Sequence, residues 1–165
     1  MEVLGVPDSE VFLDSDDLMD LRDLLEHVKT SDVLLLFQTK SVLQRPWCLL
    51  ELYTAIQEGV PIVPLQIAGL TNYEYEFAAA QTLLENLEVE LEKVNPGAGA
   101  RIVEYGVPLA ELQKTLLDAI PMLISKRYEP SASANVLDAQ LEDIVLVMEA
   151  SVAAEDKAGR DGAEP

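Results

Sequence analysis

Two kinds of apolar pattern take turns along this chain. The first is a short solid run of strand length, rich in β-branched and aromatic residues: Glu10–Asp14 (EVFLD), Asp32–Gln38 (DVLLLFQ) and Pro61–Ile67 (PIVPLQI). The second is a stripe recurring at three and four. Leu18, Leu21, Leu24, Leu25 and Val28 make one such stripe, and Ser15, Asp16 and Asp17 offer N-cap side chains just ahead of it. Pro46 suits a first helical turn, so a helix is expected from there to about Glu58, with Gly59 as its C-cap. A longer helix is expected from about Tyr75 to Val94, ended by Asn95-Pro96-Gly97, and another over Leu109–Ala119. Pro121–Ser125 (PMLIS) is a candidate fourth strand. Asn135–Met148 reads as a last amphipathic helix, with Val136, Leu137, Leu141, Ile144, Val145 and Met148 on one side.

Runs alternating with stripes predict an α/β fold around a mostly parallel sheet. Asp32–Gln38 is apolar nearly throughout, as expected of a strand covered on both faces. From Ala150 the apolar period stops and Ala, Gly, Asp, Glu and Lys take over, so residues 150–165 are expected to form a disordered acidic tail after one domain over 1–149.

Composition narrows the function. The chain has 165 residues, 49% of them hydrophobic, enough for a core of its own. Its net charge is −19, with 11 Lys and Arg against 30 acids, which disfavours nucleic acid and anionic membrane surfaces as partners. One cysteine, Cys48, permits no internal disulfide and suits a reducing compartment. One Cys and one His cannot build the usual zinc site, and no metal is expected. No apolar run reaches the roughly 20 residues that span a bilayer, and the acidic start lacks a basic signal-peptide region. A cytoplasmic location follows as the expectation.

Chemistry gathers between the second and third runs, at Ser41–Leu52 (SVLQRPWCLLEL). Trp47 and Glu51 are four apart, so on a helix they share a face, and that helix begins just beyond a strand's end, where open α/β sheets place ligands. Blander readings stand beside this one: Glu51 as a solvated helix residue, Trp47 as packing, Cys48 as a small buried hydrophobe. His27 reads as a surface residue. Asp14, Asp16 and Asp17 read as caps and solvated loop, without the spacing of an EF-hand. Tyr73, Tyr75 and Phe77 are expected to pack the long helix on the sheet. Asn95–Ala100 (NPGAGA) follows a helix and lacks the GxGxxG spacing, so it reads as a turn.

The series VFLDSDDL, SDVLLLFQT, SVLQRPWCLLELYTAI and GVPIVPLQI resembles the TIR (Toll/interleukin-1 receptor) domain family from Val11 to Ile67, and less clearly to Met148. Trp47-Cys48-x-x-Glu51-Leu52 is its specific part. The resemblance implies a flavodoxin-like three-layer sandwich, association with other TIR domains as a homo-oligomer, and a role in immune or stress signalling. For many members it also implies cleavage of NAD+ at the nicotinamide–ribose bond, with NAD+ as substrate and no cofactor. The family's catalytic glutamate then falls on Glu51, and substrate contacts on Trp47, Asp14, Thr39 and Ser41. The chemistry is intelligible: nicotinamide leaves as a neutral amine, so a fixed carboxylate beside the ribose need only oppose an oxocarbenium-like cation.

The chain also departs from that pattern. Residues 1–10 are too few for the strand and crossover helix with which family members begin, so an N-terminally incomplete sheet is expected. Either Val3–Val6 stands in for that strand, or the Glu10–Asp14 and Asp32–Gln38 strands pair directly, or the chain is an incomplete product. Asp14-Ser-Asp-Asp-Leu-Met-Asp20 replaces a glycine-bearing loop, and such acidity should repel a pyrophosphate. These features favour a non-catalytic TIR scaffold as the alternative. A receiver-like phosphoacceptor, with an acid after a strand and Lys126 after the last, is a third reading.

Overall fold

The computed structural model describes residues 21–69 and 71–161. The expected strand Glu10–Asp14, the Ser15–Asp17 cap and the candidate contact Asp14 lie outside them. Seven helices and three strands follow in the order α1 (Leu21–Thr30), β1 (Leu34–Gln38), a 3-10 turn (Val42–Gln44), α2 (Pro46–Glu58), β2 (Ile62–Ile67), α3 (Phe77–Glu85), α4 (Leu87–Val94), α5 (Ala98–Glu104), α6 (Leu109–Ala119), a 3-10 turn (Ile120–Met122), β3 (Lys126–Tyr128) and α7 (Ala134–Asp161).

The strands form an all-parallel sheet in the order β1-β2-β3. Leu34 to Gln38 face Ile62 to Gln66 one for one, and Lys126, Arg127 and Tyr128 face Leu65, Gln66 and Ile67. Alternation along each strand then divides the side chains between two layers. Leu36 belongs to the larger core, with Leu49, Leu50 and Leu52 of α2, Leu84 of α3, Leu87 and Leu91 of α4, and Leu112 and Leu116 of α6. Val28 of α1 joins the same side against Ala55, Leu34 and Ile62. Val63, Leu65 and Ile67 point the other way, onto Ile144 of α7. Helices on both faces of a parallel sheet make this an α/β sandwich of flavodoxin-like architecture.

α2 is the central helix, and its bounds are those that Pro46 and Gly59 predict. Leu49, Leu50 and Ala55 are fully buried, because the helix is enclosed by α1, α5 and α6 as well as the sheet. Gly59 sits at φ 74, ψ 18, a left-handed C-cap that only glycine adopts without strain, and the Val60 amide then bonds the Ala55 carbonyl at 2.8 Å. α6 likewise matches its predicted span.

Four expectations need correction. The single helix expected over Tyr75–Val94 is two: Asn86, at φ −127, ψ 41, separates α3 from α4, and its side-chain amide bonds the Thr82 carbonyl at 3.3 Å. Leu83 and Leu84 before the break and Leu87 and Leu91 after it all enter one core. NPGAGA is a turn only at Asn95–Gly97, since Ala98 already begins α5. Pro121–Ser125 is not a strand. Pro121 occupies a 3-10 turn, Met122 (79% exposed) and Ile124 (86%) face solvent, and pairing starts at Lys126, where β2 has its C-terminal half to offer. Finally, α7 runs unbroken from Ala134 to Asp161, past the change of composition at Ala150. Ala, Glu, Lys and Arg are strong helix formers, so the backbone continues where the apolar period has ended.

β1 also departs from uniform burial. Phe37 is 53% exposed, whereas polar Gln38 is only 3% exposed. In α7, Ile144 is buried and Leu137, Val145, Val147 and Met148 are half-buried, but Val136 and Leu141 lie at the exposed margin of the expected stripe.

Candidate functional site

Thr39, Lys40 and Ser41 follow β1 at the carboxyl rim of the sheet. Thr39 forms an isolated antiparallel bridge with Glu74, and the Lys40 amide donates to the Tyr73 carbonyl at 3.0 Å. The Ser41 carbonyl accepts from Gln44 at 3.1 Å, closing the 3-10 turn that leads into α2. Ser41 itself is exposed and Thr39 half-buried. The loop therefore bends back against the segment that precedes α3.

Trp47 and Glu51 lie one turn apart in the first half of α2, both half-buried. The indole is turned onto the end of α5. It meets the Tyr105 ring edge-on, with 5.7 Å between centroids and 87° between planes, and the Arg101 guanidinium lies 6.0 Å from its centroid. Edge-to-face contact and a cation near the ring face are both favourable for an indole. Cys48 is half-buried, less enclosed than the small buried hydrophobe expected. His27 is exposed, as expected, near the end of α1.

A groove opens between the loop after β1 and α3. Its deep end, a cavity of about 80 Å³, lies between Lys40, Leu43 and Gln44 on one wall and Tyr75, Glu76 and Ala79 on the other. Its shallow end, about 390 Å³, continues along α3 to Glu90 and Val94 of α4. Gln44, Ala79 and Leu83 line both parts, so the two adjoin. Neither part is lined by Trp47 or Glu51. A deep end of this size is well below the roughly 300–1,000 Å³ that encloses a small-molecule ligand, but it admits one side chain.

Three further features bear on the site: the burial of Tyr75, which was expected, and two that escaped sequence reasoning, at Gln38 and at Tyr53. Tyr75 is buried, and burial pushes its hydroxyl up to about 12. Its neighbours Tyr73 and Phe77, expected to pack with it, are instead 68% and 52% exposed, with Phe77 edge-on to Tyr75 at 5.0 Å. Gln38, behind the loop at the end of β1, is buried with its Oε1 lacking a hydrogen-bond partner among the described residues. On the far side of α2, the Tyr53 hydroxyl donates to the Glu111 carboxylate at 2.6 Å. That hydrogen bond, with lesser contributions from burial and the carboxylate's charge, holds the Tyr53 hydroxyl up at about 12.

Among the described residues, no group of three or more His, Cys, Asp or Glu is placed to hold a metal ion, and no helix is long and apolar enough to cross a membrane. Fold and groove together define an α/β protein of flavodoxin-like architecture with a cleft at the carboxyl rim of its sheet. No family model matches the chain, and no curated protein matches it.

Proposed function

We propose that this chain is a signalling module of the TIR kind that works in the cytoplasm by associating with other copies of its fold and not by turnover. The observation that carries this reading is the engagement of Trp47. An indole packed edge-on against Tyr105 and flanked by Arg101 serves the α2–α5 contact, and is spent as a platform for a nucleotide base. The groove supports it as well, being sized at its deep end for a side chain.

A second reading is cleavage of NAD+ at the nicotinamide–ribose bond. What favours it is the station of Glu51, half-buried one turn after Trp47 on the helix that follows β1. In that reading the Glu51 carboxylate opposes the charge that develops on the ribose as nicotinamide departs, and water completes the hydrolysis. Thr39 and Ser41, at the rim, contact the substrate.

One experiment separates the two. The purified chain is incubated with NAD+ over a range of protein concentrations, while nicotinamide release and average molecular mass are followed together. Assembly that grows with concentration and no release is the expected result. Release that Glu51→Ala abolishes would transfer the function to the second reading.

A further inference from the structure

We propose that copies of this chain join head to tail, with the apolar tip at Met122 and Ile124 of one copy seated in the α3 groove of the next. The inference rests on the self-association reading above and names the two surfaces that would serve it. Met122 and Ile124 are 79% and 86% exposed, the highest values among the large hydrophobic residues of the described chain. They stand two residues apart between α6 and β3, where neither packs on the core. The groove offers the reverse shape. Leu43, Ala80 and Leu83 floor a recess of about 80 Å³, and Ala78, Ala79 and Thr82 continue a shallow trough beside exposed Val94. An exposed aliphatic knob and an apolar recess of side-chain size are the elements of a buried hot spot.

Charge selects the partner. At a net −19, two copies repel, so a favourable contact must set the chain's scarce basic residues against its acids. Pro121–Tyr128 (PMLISKRY) carries Lys126 and Arg127 and no acid. Arg127 is bound to Glu129 at 2.9 Å. Glu76 and Glu90 line the groove, with Lys40 at one end, and the segment that forms it adds Glu74, Glu85, Glu88 and Glu92 against the single Lys93. Placing the knob in the groove brings the one segment next to the other.

Topology fixes the geometry of assembly. β3 pairs only with the carboxyl-terminal half of β2; the knob just precedes it on one edge of the sheet and the groove follows β1 on the other edge, so the two are different patches of one copy. A contact between different patches is heterologous, and unless the rotation closes a ring it propagates as an open chain.

The test uses the full chain in sedimentation and light scattering, with Ile124→Glu and Met122→Glu as knob variants and Ala79→Arg as the groove variant. All three sites are exposed, and unchanged circular dichroism and melting serve as the check of folding. The wild type is expected to grow continuously past dimer as concentration rises. Each variant should need at least about 30-fold more protein to associate, the loss typical of a removed hot-spot residue. An equimolar mixture of Ile124→Glu and Ala79→Arg should give a 1:1 dimer and stop there, because one intact knob and one intact groove remain. Variants that assemble like the wild type would overturn these surfaces while leaving self-association standing. A wild type that halts at dimer would overturn the head-to-tail arrangement. A wild type monomeric at every concentration would remove the underlying reading too. Binding to phosphatidylserine vesicles that Ile124→Glu abolishes, with association unaltered, would overturn the proposal and assign the tip to membranes.

Discussion

Trp47 of α2 and Tyr105 at the end of α5 meet edge to face, 5.7 Å between ring centres. Tyr53, two turns further along α2, reaches Glu111 of α6 at 2.6 Å. Both pairs join residues 58 apart, so α2 is clamped at two heights by the helical segment that leaves and returns to it. The clamp explains why the indole serves packing, and it makes the roles of these side chains measurable.

Trp47→Ala should lower stability by about 2–3 kcal/mol, toward the lower end for an aromatic truncation because the ring is only half-buried. Urea unfolding followed by circular dichroism checks this. A variant as stable as the parent would mean that the indole contributes nothing to the α2–α5 contact and is free for another task.

Tyr53→Phe should cost about 1 kcal/mol at neutral pH, the net value of one partly exposed hydrogen bond. The folded hydroxyl titrates near 12 against an ordinary 10, so its contribution is complete below pH 10 and lost as pH rises through 12. The stability gap between parent and variant should therefore hold constant from pH 7 to about 9 and close at higher pH. Chemical unfolding at pH 7 and pH 11 reads both ends, and a gap that widens with pH would contradict the assignment.

Gln38→Met should raise stability by about 1 kcal/mol. It keeps the side chain's length and removes a buried oxygen with no described partner. For a chain of this size the melting temperature should climb by about 2–4 °C. A fall in melting temperature would show that the amide has a donor.

Gly59→Ala should destabilise by about 1 kcal/mol, since φ 74 places a Cβ in the left-handed region. Gly59→Asn should recover part of the loss, because Asn tolerates that region better than Ala. Equal melting temperatures for Ala and Asn would show that the cap is not the cause.

Much of the architecture was legible in the residues themselves. Pro46 and Gly59 marked both ends of α2, the leucine stripe gave α6 its bounds, and the solid runs at Asp32–Gln38 and Pro61–Ile67 located β1 and β2. These are local signals: caps, φ restrictions and spacing act within a few residues, so a sequence carries them openly. The four-residue spacing put Trp47 and Glu51 on one face of a helix beyond a strand, but did not show what the indole would touch.

What remained was settled by contacts across the chain. Nothing near Asn86 distinguishes a broken helix from a continuous one, since Leu83, Leu84, Leu87 and Leu91 keep helical spacing across the break. The apolar PMLIS reads as a strand by composition, yet pairing with β2 begins only at Lys126; Met122 and Ile124 stay in solvent while Leu123 packs on the core. Gln38 is polar by sequence and buried by position, whereas Phe37 is the reverse. The sequence determined those helices and strands that caps, apolar spacing and solid apolar runs mark, through interactions confined to neighbouring residues. Only the tertiary structure decided which side chains are spent on the core and which are left to meet another molecule, because burial depends on partners that the chain brings together from far away.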